Sequence, residues 1–173
     1  MYKSKLAASL VPYVPGEQPK SVERLIKLNT NENPYPPSPR VARALRELDA
    51  SRLRLYPDPT AEALRAAIAE REGVATENVF VGNGSDEVLS LAFAAYFDSG
   101  SLPVLFADVT YSFYKVFCSL YDINYDELPL REDMTLCVDD YIGRKAAGVV
   151  IADPNAPTAL SVAESDIRRL LEA

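Results

Sequence analysis

The residues best placed to do chemistry lie in Val79-Phe80-Val81-Gly82-Asn83-Gly84-Ser85-Asp86-Glu87, a β-branched and aromatic run that turns through two glycines. Apolar residues follow at 88, 89, 92, 93, 96 and 97, a helical spacing, so the helix reading is preferred to an Asn83-Gly84 hairpin. A strand turning into a helix aims backbone N–H groups and the positive end of the helix dipole at one point, an anion cup. The same residues also fit a plain strand-to-helix turn, with Ser85 as N-cap and Asp86 and Glu87 set against the dipole. Residues Leu28 to Tyr35 (Leu-Asn-Thr-Asn-Glu-Asn-Pro-Tyr) concentrate amides ahead of prolines and read equally as Asx turns or as a ligand grip. The chain has no histidine, which removes the commonest general base and zinc ligand. Any chemistry must come from carboxylates, Lys, Tyr or a borrowed cofactor. Cys118 and Cys137 lack CxxC spacing and read as buried, reduced thiols, with no metal site or disulfide framework expected.

These residues need a scaffold, and 173 residues suffice for one domain with a real core. A net charge of −7 argues against nucleic-acid or anionic-membrane partners, which leaves small molecules. The longest apolar stretch, Leu89 to Phe97, is about half the ~20 residues a membrane span needs. Lys3 and Lys5 precede too short an apolar run for a signal peptide, so a cytoplasmic protein is expected.

Residues 1–37 hold six of the thirteen prolines and read as an extended arm packed on another surface or subunit; residues 38–173 read as an α/β domain. Ser38-Pro39 opens a helix to about Leu48 with Val41, Ala44, Leu45 and Leu48 inward. A rigid turn at Leu55 to Pro59 precedes a helix from near Thr60 to Gly73. Beyond the helix at 85–97, a buried strand is expected at 103–107, a helix at 111–120 and an edge strand at 123–128. A short helix at 139–145, a strand at 148–152 and a last helix with a Ser161/Glu164 capping box complete the pattern. Strands alternating with helices imply a parallel sheet, whose ligands sit beyond the strands' carboxyl ends. That rule puts Gly82–Ser85, Asp108–Tyr111 and Asp153–Thr158 on one rim.

With the third rim segment, Asp153-Pro154-Asn155-Ala156-Pro157-Thr158, a pattern of five ordered motifs is complete. Together with Asn31-Glu32-Asn33-Pro34, Tyr56-Pro57, Gly82 to Glu87 and Thr110-Tyr111-Ser112, it resembles the pyridoxal-phosphate aminotransferases of the type I fold, most of all the histidinol-phosphate aminotransferase group. The resemblance implies part of the mostly parallel, helix-flanked sheet of that fold's large domain. It implies pyridoxal 5'-phosphate as cofactor, with its phosphate held around Gly84, Ser85 and Asp86, its ring stacked on Tyr111 and its ring oxygen bonded to Asn155. Tyr56 would reach the phosphate of a neighbouring subunit in a homodimer, and Tyr13 and Asn31 would lie near the substrate. The implied reaction is transamination of histidinol phosphate with 2-oxoglutarate; a related amino-acid aminotransferase, a threonine-phosphate decarboxylase or a non-catalytic phosphate-binding remnant are the alternatives.

The family's Schiff-base lysine and its substrate arginines would fall after Ala173, and none of the six lysines (3, 5, 20, 27, 115, 145) matches that lysine. No catalytic residue is therefore assigned. Ala159 also stands where the family usually has glycine. The expectation is that these residues form the N-terminal part of a longer enzyme. The resemblance then implies that the strand at 79–81 takes its sheet neighbours from later sequence, without which its backbone lacks partners.

Overall fold

Val104–Ala107 (β1) is apolar at every position, which suits a strand covered on both faces. The computed structural model describes residues 2–10, 17 and 26–173. In it β1 is the middle strand of a three-stranded parallel sheet, between β2 (Tyr125–Leu128) and β3 (Gly148–Val149). Val104 pairs with Tyr125 and Gly148, and Leu105 with Asp126 and Val149.

Because side chains alternate along a strand, this one short segment feeds two cores. Val104 and Phe106 join Phe93, Tyr114, Phe117, Cys118 and Ile123, most of them from α4 (Ser85–Tyr96) and α5 (Phe113–Tyr121). Leu105 faces the other way, toward Leu128 and Tyr141, with Leu170 of α6 (Glu164–Glu172) packed against them. At the start of β3 a side chain on Gly148 would come within 2.7 Å of the Phe97 ring, so only glycine lets the strand lie that close. The expected edge strand at 123–128 and buried strand at 103–107 are both present, each shortened at its N-terminal end.

The chain divides into two units, residues 11–79 and residues 80–173 with the first ten. In the first, α2 (Pro39–Glu47) opens as expected, with Ser38 Oγ accepting from Val41 N and proline at the first helical position. A 3-10 turn (Ala50–Arg54) leads to α3 (Glu62–Glu72), which ends on Gly73 in the left-handed conformation. Arg65 of α3 donates from Nε to the Val79 carbonyl and from Nη2 to the Thr76 carbonyl, both at 2.8 Å. The inward face expected of α2 is not buried: Val41, Leu45 and Leu48 are 47%, 66% and 52% exposed. Ala69 is the only buried apolar residue described in this unit, so the face has nothing of its own to pack on.

Four other expectations are corrected. Residues 79–81 are extended at Val79 but form no strand, and Phe80 is 63% exposed. Both flanks of β1 are already taken by β2 and β3, and β-propensity cannot supply a missing partner. Within the segment read as an extended arm, Lys5–Ser9 forms a single helical turn (α1), capped by Ser4 Oγ accepting from Ala7 N. The short helix expected at 139–145 is a 3-10 turn at Val138–Asp140, tied to α6 by the Asp139–Arg169 ion pair. No capping box forms, because Asp153 Oδ1 takes the Val162 N–H at 3.1 Å and α6 begins only at Glu164, after Ala163.

The core sets a chemical contrast between the two thiols. Cys118 is buried as expected, 1% exposed, and burial pushes its pKa from an ordinary 9.0 up to about 11, whereas Cys137, also expected to be buried, is only half-buried. Iodoacetamide at about pH 8 is expected to label Cys137 and to spare Cys118 until the chain is denatured. Burial, aided by Asp108 and Asp140, likewise pushes Tyr141 from 10.0 up to about 12. Both groups bind their proton more tightly when folded, so their contribution is whole below the unfolded values and drains away as pH rises through the folded ones. The urea midpoint should therefore hold below about pH 9 and fall progressively above it; equal labelling of both thiols in the native chain would count against this core.

Candidate functional site

The glycine turn, residues 82–87, is exposed along its length. Gly84 rather than Ser85 is the N-cap of α4; its φ of 85° and ψ of 169° suit glycine, and Ser85 is the first helical residue. Gly84 N donates to Gly82 O at 3.0 Å, and Val88 N is the first to reach back into the helix ladder, to Gly84 O at 3.4 Å. Among the described residues no chain acceptor meets the N–H groups of Ser85, Asp86 and Glu87. With the helix dipole behind them, these three donors leave a partial positive charge at the start of α4.

The acidic side chains of that turn are turned elsewhere. Glu87 Oε2 accepts from Asn83 N at 2.6 Å and from Asn83 Nδ2 at 3.1 Å. Asp86 Oδ1 accepts from the Tyr111 hydroxyl, which ties the glycine turn to the segment after β1. Tyr111 is half-buried; its ring stacks on Phe113 (5.6 Å between centroids, 18° between planes) and meets Tyr114 edge-on at 5.7 Å.

A second tie joins the segments after β1 and β3. Thr110 Oγ1 donates to Asn155 Oδ1 at 2.7 Å, while Asn155 Nδ2 donates to the Val109 carbonyl at 2.9 Å and to Thr158 Oγ1 at 3.3 Å. A carbonyl only accepts, so the amide nitrogen must face Val109 and the oxygen Thr110. Asp108 Oδ1 accepts from Val109 N at 2.8 Å and Leu130 N at 3.0 Å, which fixes the start of the same loop. Gly84, Ser85, Asp86, Tyr111 and Asn155 are thus brought together through Tyr111–Asp86 and Thr110–Asn155. Thr110, Asp108 and Glu87 carry these joints; sequence alone places them in the rim segments or against the helix dipole without giving any of them a binding role.

The other expected residues are not brought to this rim by any described bond. Tyr56, in residues 11–79, is 102% exposed beside exposed Leu53 and Leu55. Asn31 is exposed with a left-handed φ of 52°, and Asn33 Oδ1 accepts from Tyr35 N at 3.0 Å, an Asx turn. Tyr13 lies outside the described residues. Lys115 is paired with Glu127 of β2 at 2.6 Å. Among the described residues no group of three or more His, Cys, Asp or Glu could hold a metal ion, and no helix is long and apolar enough to cross a membrane.

Residues 23–173 match the family model of aminotransferase class I and II. The chain is 57% identical over 169 residues to a histidinol-phosphate aminotransferase of Acetobacter pasteurianus, covering 98% of this chain and 47% of that protein. It is 56% identical over 171 residues to histidinol-phosphate aminotransferase 1 of Methylococcus capsulatus, again covering 98% and 47%. The solved histidinol-phosphate aminotransferase of Sinorhizobium meliloti, in complex with pyridoxal-5'-phosphate, shares the fold at a TM-score of 0.74 and 22% identity, covering 83% of this chain and 39% of that one. The chain spans about half the length of the relatives it matches.

Proposed function

The chain belongs to the class I and II aminotransferase family, and from that premise we propose that its rim is the pyridoxal-phosphate grip of a histidinol-phosphate aminotransferase. The reaction would move the amino group of L-histidinol phosphate to 2-oxoglutarate, giving imidazole acetol phosphate and glutamate. The observation that carries the reading is the pair of side-chain ties, Tyr111–Asp86 and Thr110–Asn155, which joins three loops from different elements around a helix N-terminus whose first donors lack acceptors.

The donor set fits the cofactor. The N–H groups of Ser85, Asp86 and Glu87, with the Ser85 hydroxyl, suit a phosphate dianion, and they act there as a fixed dipole that needs no reorganisation. The Tyr111 ring, its hydroxyl anchored on Asp86 and its plane set by Phe113, suits a flat heteroaromatic ring. Asn155 can hold a ring oxygen if Nδ2 gives up its long 3.3 Å bond to Thr158 and keeps the shorter one to Val109. When bound, the cofactor supplies the electron sink that a histidine-free chain lacks. No lysine of this chain is assigned a covalent role.

The reading carries with it a homodimer in the cytoplasm, with Tyr13 and Asn31 near the substrate and Tyr56 reaching the partner subunit's cofactor phosphate. The exposed Leu48, Leu53, Leu55 and Tyr56 supply an apolar surface for a second subunit to cover.

Titrating the 173-residue chain with pyridoxal phosphate is the test. Binding that inorganic phosphate competes away is expected, with no lysine adduct after borohydride. Binding indifferent to phosphate sinks the cup, and an adduct on Lys115 or Lys145 sinks the lysine assignment. Glutamate release from histidinol phosphate and 2-oxoglutarate by the protein as isolated from its source tests the substrate pair.

A further inference from the structure

Glu87 does something unusual for a residue in the first turn of a helix. In a reciprocal cap the third helical residue returns to the N–H of the N-cap. Here that N–H, on Gly84, is already taken by Gly82 O at 3.0 Å, and Glu87 reaches one residue further, to both donors of Asn83 at 2.6 and 3.1 Å. The N–H groups of Asn83 and Gly84 are spent inside the turn; those of Ser85, Asp86 and Glu87 meet no chain acceptor among the described residues. Gly82 makes the return possible, because a Cβ there would lie 2.9 Å from Glu87 Oε2 and would drive the carboxylate away.

We propose that Glu87 is a positioning residue for the anion cup: its carboxylate clamps the glycine turn, holding Asn83 back, so that the first-turn N–H groups of α4 face the incoming phosphate. This rests on the reading of the rim as a phosphate grip. A clamp and a bare charge make opposite demands. As a charge, Glu87 repels an anion and its removal tightens binding. As a clamp, its removal lets Asn83 and the turn relax, and binding weakens.

Glu87→Gln keeps the length and an acceptor oxygen without the charge; Glu87→Ala keeps neither. The clamp gives an order of affinities for pyridoxal phosphate and for inorganic phosphate in which Gln equals or exceeds Glu, while Ala is about tenfold weaker, the loss of one hydrogen bond to a charged group. Amide hydrogen exchange at Asn83, measured without ligand, should be about tenfold faster in Glu87→Ala and unchanged in Glu87→Gln. Ala binding as tightly as the parent, or more tightly, overturns the proposal. If the parent chain binds no phosphate, the grip reading fails instead, and Asn83 exchange still reports whether Glu87 holds the turn: no change in Glu87→Ala overturns the clamp.

Discussion

Phe93→Ala is expected to cost the unit of residues 80–173 about 3–5 kcal/mol of stability, the range for removing a fully buried aromatic ring. Phe93 is 2% exposed on α4 and meets Phe97, Tyr114 and Phe117 with centroids at 5.4, 6.0 and 5.4 Å. Two of those three rings belong to α5, so Phe93 is the peg that fixes α4 against its neighbour helix. Around it are β1 and other rigid rings that cannot collapse into the space left behind. A loss of this size rivals the entire stability of a small domain. Urea unfolding measures it, with Leu91→Ala as the control on the same helix. Leu91 is 47% exposed and should cost less than about 1 kcal/mol, since leucine and alanine differ little in helix propensity. Equal costs at the two positions would remove Phe93 from the centre of the core. The consequence reaches the rim, because α4 carries the glycine turn at its start and swings it when its packing fails.

Sequence reasoning worked where a pattern is local and self-sufficient. The run Pro103 to Ala107 needed only its unbroken apolar character to be read as a buried strand, and the helices at 39–47 and 85–96 announced themselves by a proline at the first turn and by 3.6-residue spacing. Two of the three rim segments, 108–111 and 153–158, come after observed strands as the rule about strand ends requires, whereas Gly82–Ser85 comes after a segment that forms no strand, and the order of five short motifs made the family legible. Reasoning failed where an element needs a partner that composition cannot name. Val79-Phe80-Val81 has strand propensity but pairs with no strand among the described residues, so it stays outside the sheet. Val41, Leu45 and Leu48 have helical spacing but no core to enter. Ser161 and Glu164 have capping-box spacing, yet Asp153 captures the nearby Val162 N–H and the helix starts late. Side-chain joints were the least legible, since whether Thr110 meets Asn155 is decided by where two loops from different strands come to lie.

That joint gives the second large effect. Asn155→Ala removes the acceptor of the Thr110 hydroxyl and the donor to the Val109 carbonyl, and is expected to cost about 2 kcal/mol, the low end of the range for two deserted polar groups, because Thr110 is only half-buried and Val109 is exposed to water. Asn155→Asp separates the two halves: a carboxylate can still accept from Thr110 but sets an oxygen against the Val109 carbonyl, so it should recover little of the loss. Thr110→Val keeps the shape, deletes only the Thr110 bond and should cost about 1 kcal/mol. A double-mutant cycle between Thr110→Val and Asn155→Ala should then show a coupling of about 1 kcal/mol, because once Asn155 is gone the threonine hydroxyl has no partner to lose. Pyridoxal phosphate gives an independent reading of the same residue. If Asn155 Nδ2 holds the ring oxygen, Asn155→Ala weakens binding of pyridoxal phosphate by about tenfold but leaves inorganic phosphate unaffected, since the cup on α4 is intact. Loss of both ligands together would mean that Asn155 acts only by holding the loops in place, and loss of neither would separate it from the site altogether.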